Sequence, residues 1–355
     1  MAVAALAAVA ATAQTDVAEF RPGVTVDGVN YFLPRTRLRI VVEADKAVTV
    51  PGEFAPYANR YLRLADVPTV ETTEWTISQV SIQALGVPDS AKAYSIRLKG
   101  RTSAPLVSLT PDGLLLGVNV AVEPEAEAPL PPHVAAPAPL RGRDFMTQEI
   151  LSAGSTAKMA QLTAEEIYDI RESRNALVRG EADNTPKDGA QLKLMLDNLD
   201  HQLAALEALF KGQTLTSHEV QTIDYEPTAA ALADGRIMVG RFSRRLGLVD
   251  ADDLSGEPLW LTLRPVSPLP AAADDADVAR KKQKMEQGLR INMPVRTRFE
   301  VATPTQTLVA TEVPVAQYGS VEVLSDALFN KHMDTQVEIY QHTGSVRRVS
   351  NAADE

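Results

Sequence analysis

The sequence predicts a mainly β protein of the α+β class, with two antiparallel β modules, sandwich- or barrel-like, flanking a helical hairpin. Three observations predict it. Runs rich in β-branched and aromatic residues, several with apolar–polar alternation, recur over residues 24–120 and again over 218–340. Over 163–211 the apolar residues fall instead at spacings of three and four. Between these stretches, residues 123–140 consist mostly of Pro, Ala and Glu, which bury too little apolar surface to fold and favour an extended chain.

In chain order, residues 1–13 (MAVAALAAVAATA) form an uncharged apolar run, shorter than the ~20 residues that cross a bilayer. The run matches the hydrophobic and cleavage regions of a secretory signal, with Ala11-Thr12-Ala13 before Gln14 as the cleavage site. No basic residue precedes it, so the expected start lies a few codons upstream; an Ala-rich tail or a buried helix is the alternative. An N-terminal β domain is expected over 14–122. Its strands fall at 24–33 and 38–42, separated by Pro34, then at 75–82 and 94–98. Residues 106–109 and 114–120 form a hairpin about the turn Pro111-Asp112-Gly113. A short helical insert, 53–62, opens at Pro51-Gly52.

Residues 123–150 are the expected linker and 151–213 the helical hairpin. Thr163 followed by Glu166 is a capping box, which places the first helix start there. Ile167, Ile170 and Leu177 line one side of that helix, and Gly180 stops it. After a connection at 184–189, Leu192, Leu196, Leu199, Leu203, Leu206 and Phe210 run along a second helix that Gly212 ends. Each of these side chains gains roughly 1.5–3 kcal/mol on burial, so the stripe requires a cover. A C-terminal β domain follows over 214–349, with strands at 218–225, 237–242, 259–263, 296–302, 307–313 and 337–340. The charged stretch 274–287 is expected as a solvated loop or short surface helix, and 350–355 as a frayed tail.

Composition and motifs narrow the chemistry. The chain carries 35 Lys and Arg against 46 Asp and Glu, a net charge of −11, the reverse of what phosphate neutralisation needs, so nucleic acid is not an expected partner. It has no cysteine, which excludes disulfides, zinc thiolates, iron–sulfur clusters, thiol catalysis and a cysteine-borne lipid anchor. Export would therefore yield a soluble periplasmic or secreted protein, and no integral membrane segment is expected. Ser155-Thr156-Ala157-Lys158 fits S-x-x-K, but its companion S-D-N and K-T-G elements are missing, and it is taken as a polar lead-in to the hairpin. Neither G-x-S-x-G nor a phosphate-cradling glycine loop occurs. His133, His201, His218, His332 and His342 show no metal-ligand spacing, and His201 beside Asp200 is taken as a surface residue. Asp250, Asp252 and Asp253 before Gly256 miss the calcium-loop spacing and suit a solvated turn. No catalytic, cofactor-binding or metal residue is assigned, and no cofactor is expected.

One constellation remains. Phe54, Tyr57 and Tyr61 stand at helical spacings with Arg60 between them. They suit a platform for a sugar or a peptide, or else a core stripe packed on the sheet that carries Trp75.

At these residues the sequence resembles a known family. Tyr31-Phe32-Leu33-Pro34-Arg35-Thr36-Arg37-Leu38, Pro51-Gly52-Glu53-Phe54 with Tyr57-Ala58 and Arg60-Tyr61-Leu62, Ile170-Arg171-Glu172-Ser173-Arg174, Gly180-Glu181, Leu206 with Leu209-Phe210 and Gly212, and Gln317-Tyr318-Gly319 together resemble an uncharacterised family from Bacteroidetes genomes, domain-of-unknown-function family 4831. The resemblance implies an exported protein and spans nearly the whole mature chain. It brings no functional residue with it, because the family has no established activity.

The expected function is a non-enzymatic exported binding or structural protein whose partner is a macromolecule or a glycan. The alternative is a hydrolase acting on glycan or peptide through dispersed carboxylates, which would show two carboxyl groups about 5–9.5 Å apart in a pocket. The sequence leaves the oligomeric state open, and also whether the hairpin packs within the chain or at an interface.

Overall fold

The strand signals on either side of Pro34 belong to one strand. The computed structural model describes residues 15–19, 28–98, 106–183, 186, 188–270, 288–324 and 335–351. The apolar run 1–13, residues 184, 185 and 187 of the helix connection, the charged stretch 274–287 and His332 lie outside them. The chain forms β1 (Thr15–Glu19), β2 (Val29–Val50), a 3-10 turn (Ala55–Tyr57) running into α1 (Ala58–Leu62), β3 (Thr72–Leu98), β4 (Val107–Leu109) and β5 (Leu115–Val118). An extended stretch leads to a second 3-10 turn (Gly142–Phe145), α2 (Gln148–Leu151), α3 (Thr156–Arg179) and α4 (Gly189–Lys211). There follow β6 (Gln213–Tyr225), α5 (Ala229–Asp234), β7 (Arg236–Ser243), β8 (Gly247–Val249), β9 (Glu257–Pro265), β10 (Leu289–Ala302), β11 (Thr307–Leu324), β12 (Thr335–Ile339) and β13 (Val346–Asn351). The protein is thus mainly β with a helical hairpin. Its antiparallel sheets are ordered β1-β3-β2-β6, β11-β10-β9-β7-β8 and β13-β12-β5-β4.

β2 and β3 form one long ribbon, paired from Val29 opposite Ile96 to Thr49 opposite Thr72. At ~3.3 Å per residue, the 22 residues of β2 reach roughly 70 Å, enough to cross two cores. Pro34 does not break the strand as expected. It stands opposite Pro88 just past a register shift, where a missing amide costs no ladder bond. Residues before this point, Tyr31, Leu33 and Ile96, pack with Leu115, Val118, Leu289, Ile291, Val337 and Ile339. Beyond it, Leu38, Ile40, Val42 and Val80 face Leu261, Leu263, Phe299, Val301, Val313 and Val315 across a sandwich. The strands before and after the helices therefore share both cores, and β5 from the first half pairs with β12 from the second.

The Pro/Ala-rich stretch is a strap along the edge of β6. Glu127 pairs with Arg39 at 2.8 Å, Val134 bridges to His218, and the Leu140 amide donates to Gln213 Oε1 at 2.9 Å. Pro129, Pro131, Pro132, Pro137 and Pro139 have no amide to give, so the strap covers the edge without becoming a full strand. At the C-terminus, Ser350 is paired with Gln336 and Asn351 with Thr335, so these two residues of the expected frayed tail belong to a strand, and 352–355 lie outside the described residues.

The first long helix starts seven residues before the expected capping box. Ser155 is its N-cap, accepting from the Lys158 amide at 3.2 Å, so the S-x-x-K pattern is a helix start. Thr163 lies buried in mid-helix, its hydroxyl donating back to the Met159 carbonyl at 2.8 Å. Gly180 ends the helix with φ +70°, as its position predicts. No helix among the described residues is long and apolar enough to cross a membrane.

Candidate functional site

The short helix 53–62 packs on the helical hairpin and not, as the core alternative supposed, on the sheet that carries Trp75. Phe54 is fully buried against Phe210, with ring centroids 5.3 Å apart. Around that pair Ala58, Leu62, Met146, Ile150, Ala160, Ala164, Ile167, Ile170 and Leu206 form a core to which no strand contributes. The near end of the leucine stripe is covered this way. At the far end, Leu192, Leu196 and Leu199 are only half-buried, and Leu194 is exposed. Trp75 instead lies over Gly247, whose added Cβ would meet its ring at 3.1 Å.

This helical module is fixed to the end of the β2–β3 ribbon by close backbone approach. The Phe54 amide donates to the Leu209 carbonyl at 2.6 Å. A Cβ on Gly52 would sit 2.4 Å from that same oxygen, so only glycine fits. Arg143 holds Glu53 with two guanidinium contacts, and Arg171 and Lys211 both hold Glu207. Burial works against the charge on Glu207, but the hydrogen bonds from Lys211 and Arg171 prevail and keep its carboxyl below its ordinary value.

Of the predicted surface residues, Phe54 belongs to the core and drops out. The other three come together with residues of α3. The Tyr57 and Tyr61 ring centroids are 6.3 Å apart, and Arg60 lies over the Tyr61 ring at 5.3 Å. The Tyr168 hydroxyl donates to the Tyr61 carbonyl at 3.1 Å, and Arg171 lies over the Tyr168 ring at 5.5 Å. Tyr57 and Tyr61 are half-buried, while Arg60 and Tyr168 are exposed. The result is a cluster of aromatic rings and guanidinium groups, with rings for flat ligand surfaces and Arg60 as a cation for polar ones, while Arg171 is also held by Glu207. Tyr168 and Arg171 were missed because their closeness to α1 depends on tertiary packing across more than a hundred residues.

The motif residues that carry the family resemblance fall into two places. One set builds the helical module just described. The other set meets where β2 passes between its two cores. Thr36 is fully buried there, its Oγ1 accepting from the Ala316 amide at 3.0 Å. Gln317 Oε1 accepts from the Thr36 amide at 2.9 Å, and Gln317 Nε2 donates to the carbonyls of Thr36 and Pro227 at 2.8 and 3.0 Å. Tyr318 donates to the Thr228 carbonyl at 3.1 Å, and burial pushes its phenol well above the usual range. Gly319 lies so close to Met293 that a Cβ would fall on its carbonyl oxygen. These side chains come from a bulge of residues 316–319, between Val315 opposite Val295 and Ser320 opposite Met293.

Two histidines outside these places are tied to carboxylates. His218 stands opposite Asp45 in the β2–β6 ladder, with Nδ1 2.8 Å from Asp45 and Nε2 3.2 Å from Glu43. The Asp45 hydrogen bond raises the imidazole above its ordinary value. His133 on the strap meets Glu219 at 3.0 Å. Each His218 nitrogen faces a different carboxylate, and no group among the described residues can hold a metal ion. Asp253 accepts from the Ser255 amide at 2.8 Å, which makes 250–256 the solvated turn that its spacing suggests. A cleft of about 490 Å³ lies where the helical module meets the sheet, lined in part by Asp66, Lys211, Gln213 and Thr214; it holds one carboxylate.

A family model described as Domain of unknown function (DUF4831) matches residues 27–347. No curated protein and no solved structure matches the chain.

Proposed function

The chain belongs to the DUF4831 family, and we propose that it is an exported, non-enzymatic protein that binds a macromolecule or glycan through the aromatic–arginine face of its helical module. The observation that carries this reading is the arrangement of Tyr57, Tyr61 and Tyr168 with Arg60 and Arg171 on one outer surface, backed by the rigid Phe54–Phe210 contact. Rings held from behind lose little conformational freedom when a ligand stacks on them, which favours binding. The export part rests on the apolar run 1–13 and its Ala11-Thr12-Ala13 site. The Bacteroidetes source rests on the same motifs as the resemblance.

Sequencing the N-terminus of the mature protein tests export; Gln14 is expected, and a chain that still begins at Met1 refutes it. For binding, wild type and Tyr57→Ala are compared on insoluble cell-wall glycan and on envelope peptides. Binding lost in the variant at unchanged melting temperature supports the face. Binding equal in both, or release of cleaved product by the wild type, counts against the reading.

A further inference from the structure

The outward face of the five-stranded sheet carries a second, unrelated surface. Leu259, Leu261, Leu263, Phe299 and Val301 point into the sandwich, so their alternating neighbours on β9 and β10 point out. The ladders set these neighbours in rows. Met238, Trp260 and Ala302 share the first row, and Arg236, Thr262 and Glu300 the second. Arg264, Arg298 and Glu312 form the third, and Arg296 opens the fourth beside Pro314. At two residues of rise per row, Trp260 to Arg296 spans about 20 Å.

Four guanidinium groups and two carboxylates occupy this strip in a chain whose net charge is −11. Both acids are engaged: Glu300 accepts from the Thr307 hydroxyl at 2.8 Å, and Glu312 lies 3.9 Å from Arg296. Arg236 stacks on Trp260 at 4.2 Å. Arg264 and Arg298 stand directly opposite each other, exposed, with no hydrogen bond or ion pair among the described residues. Like charges in such a pair repel, so the arrangement costs stability unless an anion lies across it.

We propose that this face binds an anionic polysaccharide, with Arg264, Arg298 and Arg296 meeting its charged groups and Trp260 stacking on a sugar ring. Charge complementarity selects the anion, and the spacing selects the polymer. Rows of cations ~7 Å apart suit well-spaced charges such as one per sugar, whereas duplex DNA presents one charge per ~1.7 Å, and the chain's net charge of −11 disfavours nucleic acid in general. Peptides are usually read at a strand edge or in a groove, and this is the open centre of a sheet. The inference is independent of the helical-module reading and can fail or stand without it.

The test is titration of the full chain with polygalacturonate, dextran sulfate, neutral dextran, polyglutamate and a single-stranded DNA oligonucleotide at low and high salt. The readout is fluorescence of Trp260, the other tryptophan being Trp75 in its contact with Gly247. Expected are salt-sensitive binding of polygalacturonate, no binding of neutral dextran, and roughly tenfold weaker binding for Arg264→Gln or Arg298→Gln, the scale of one charge-assisted hydrogen bond. Comparison with dextran sulfate tells carboxylate from sulfate as the charge preferred. Both variants should melt at or above the wild-type temperature, because each removes a repulsion. Lys193→Gln, which removes a cation on α4 away from both surfaces, should leave the titration unchanged. No binding of either anionic polysaccharide at low salt overturns the proposal. So do binding undiminished in both arginine variants, an equal loss in Lys193→Gln, and binding of DNA or polyglutamate as tight as that of polygalacturonate.

Discussion

Replacing Thr36 by Val tests whether the residues around Pro34 and Gln317 serve architecture. Valine keeps the shape of threonine and deletes only the hydroxyl, so the change isolates one group. That hydroxyl is fully buried and is the acceptor for the Ala316 amide at 3.0 Å. Its own contacts to the carbonyls of Pro314 and His342 are both 3.4 Å, too long to contribute much. The dominant effect is therefore a buried amide left without an acceptor, which costs about 1–3 kcal/mol. Thr49 and Thr214 provide the control, since their hydroxyls also pair at 2.9 Å but on the exposed end of the sheet, where Thr214→Val should stay within about 0.5 kcal/mol. Equilibrium urea unfolding followed by tryptophan fluorescence measures both, with the slope compared to confirm that the unfolding event is the same. If Thr36→Val is no more destabilising than Thr214→Val at equal slope, the crossing point is not held by this hydrogen bond and the architectural account of these residues fails.

Two further outcomes follow from the same packing. Phe54→Ala should cost about 3–5 kcal/mol in the same unfolding experiment, as for other fully buried phenylalanines, while Arg60→Ala, at an exposed position of α1, should change little; equal losses would mean that this segment is not organised as described. His218 has its imidazole raised by Asp45 and Glu43, so its contribution is fully present below the unfolded value of ~6.5 and fades as pH rises through the folded one. The gap in melting temperature between wild type and His218→Gln should therefore be larger at pH 5.5 than at pH 9. Burial lowers His342 and gives that residue the opposite slope, which is why the paired variant and not the bare wild-type curve is the measurement; a gap that grows with pH contradicts the assignment.

The strands and helix ends that chain-local chemistry dictates were legible. Gly113, Gly180 and Gly212 sit at positive φ where a turn and two helix ends were expected. The alternation at Trp75–Ile82 lies within β3. What was not legible is how far an element continues through a residue that ordinarily ends it. Pro34 looks like a break until β2 and β3 are paired, because only pairing shows that it meets Pro88 at a shift. Thr163 misled for a similar reason: its spacing to Glu166 satisfies the capping pattern, but Ser155 caps eight residues earlier and the threonine hydroxyl turns back to Met159. The site divides along the same line. Tyr57, Arg60 and Tyr61 were found because one helical turn brings them together, whereas the opposition of Arg264 to Arg298, and of His218 to Asp45, exists only through register.

Register also explains why the two broad faces of this molecule can differ in kind. A β6 edge left bare would offer a long row of unpaired amides and carbonyls to another chain. The strap that closes it is tethered by Arg39–Glu127, His133–Glu219 and the Gln213–Leu140 exchange, and its prolines prevent it from offering a new edge in turn. Its acids meet cations of the first sheet, and of β13 through Glu125 and Arg347, so that side of the protein spends its arginines internally. The five-stranded sheet has no such cover among the described residues, and Arg264 and Arg298 are left facing each other in the open. A strap of the same acidic composition laid over those rows would remove the repulsion. Among the described residues no such strap lies there, in a chain that uses one elsewhere, and that is the physical reason to look for balancing negative charge in a ligand.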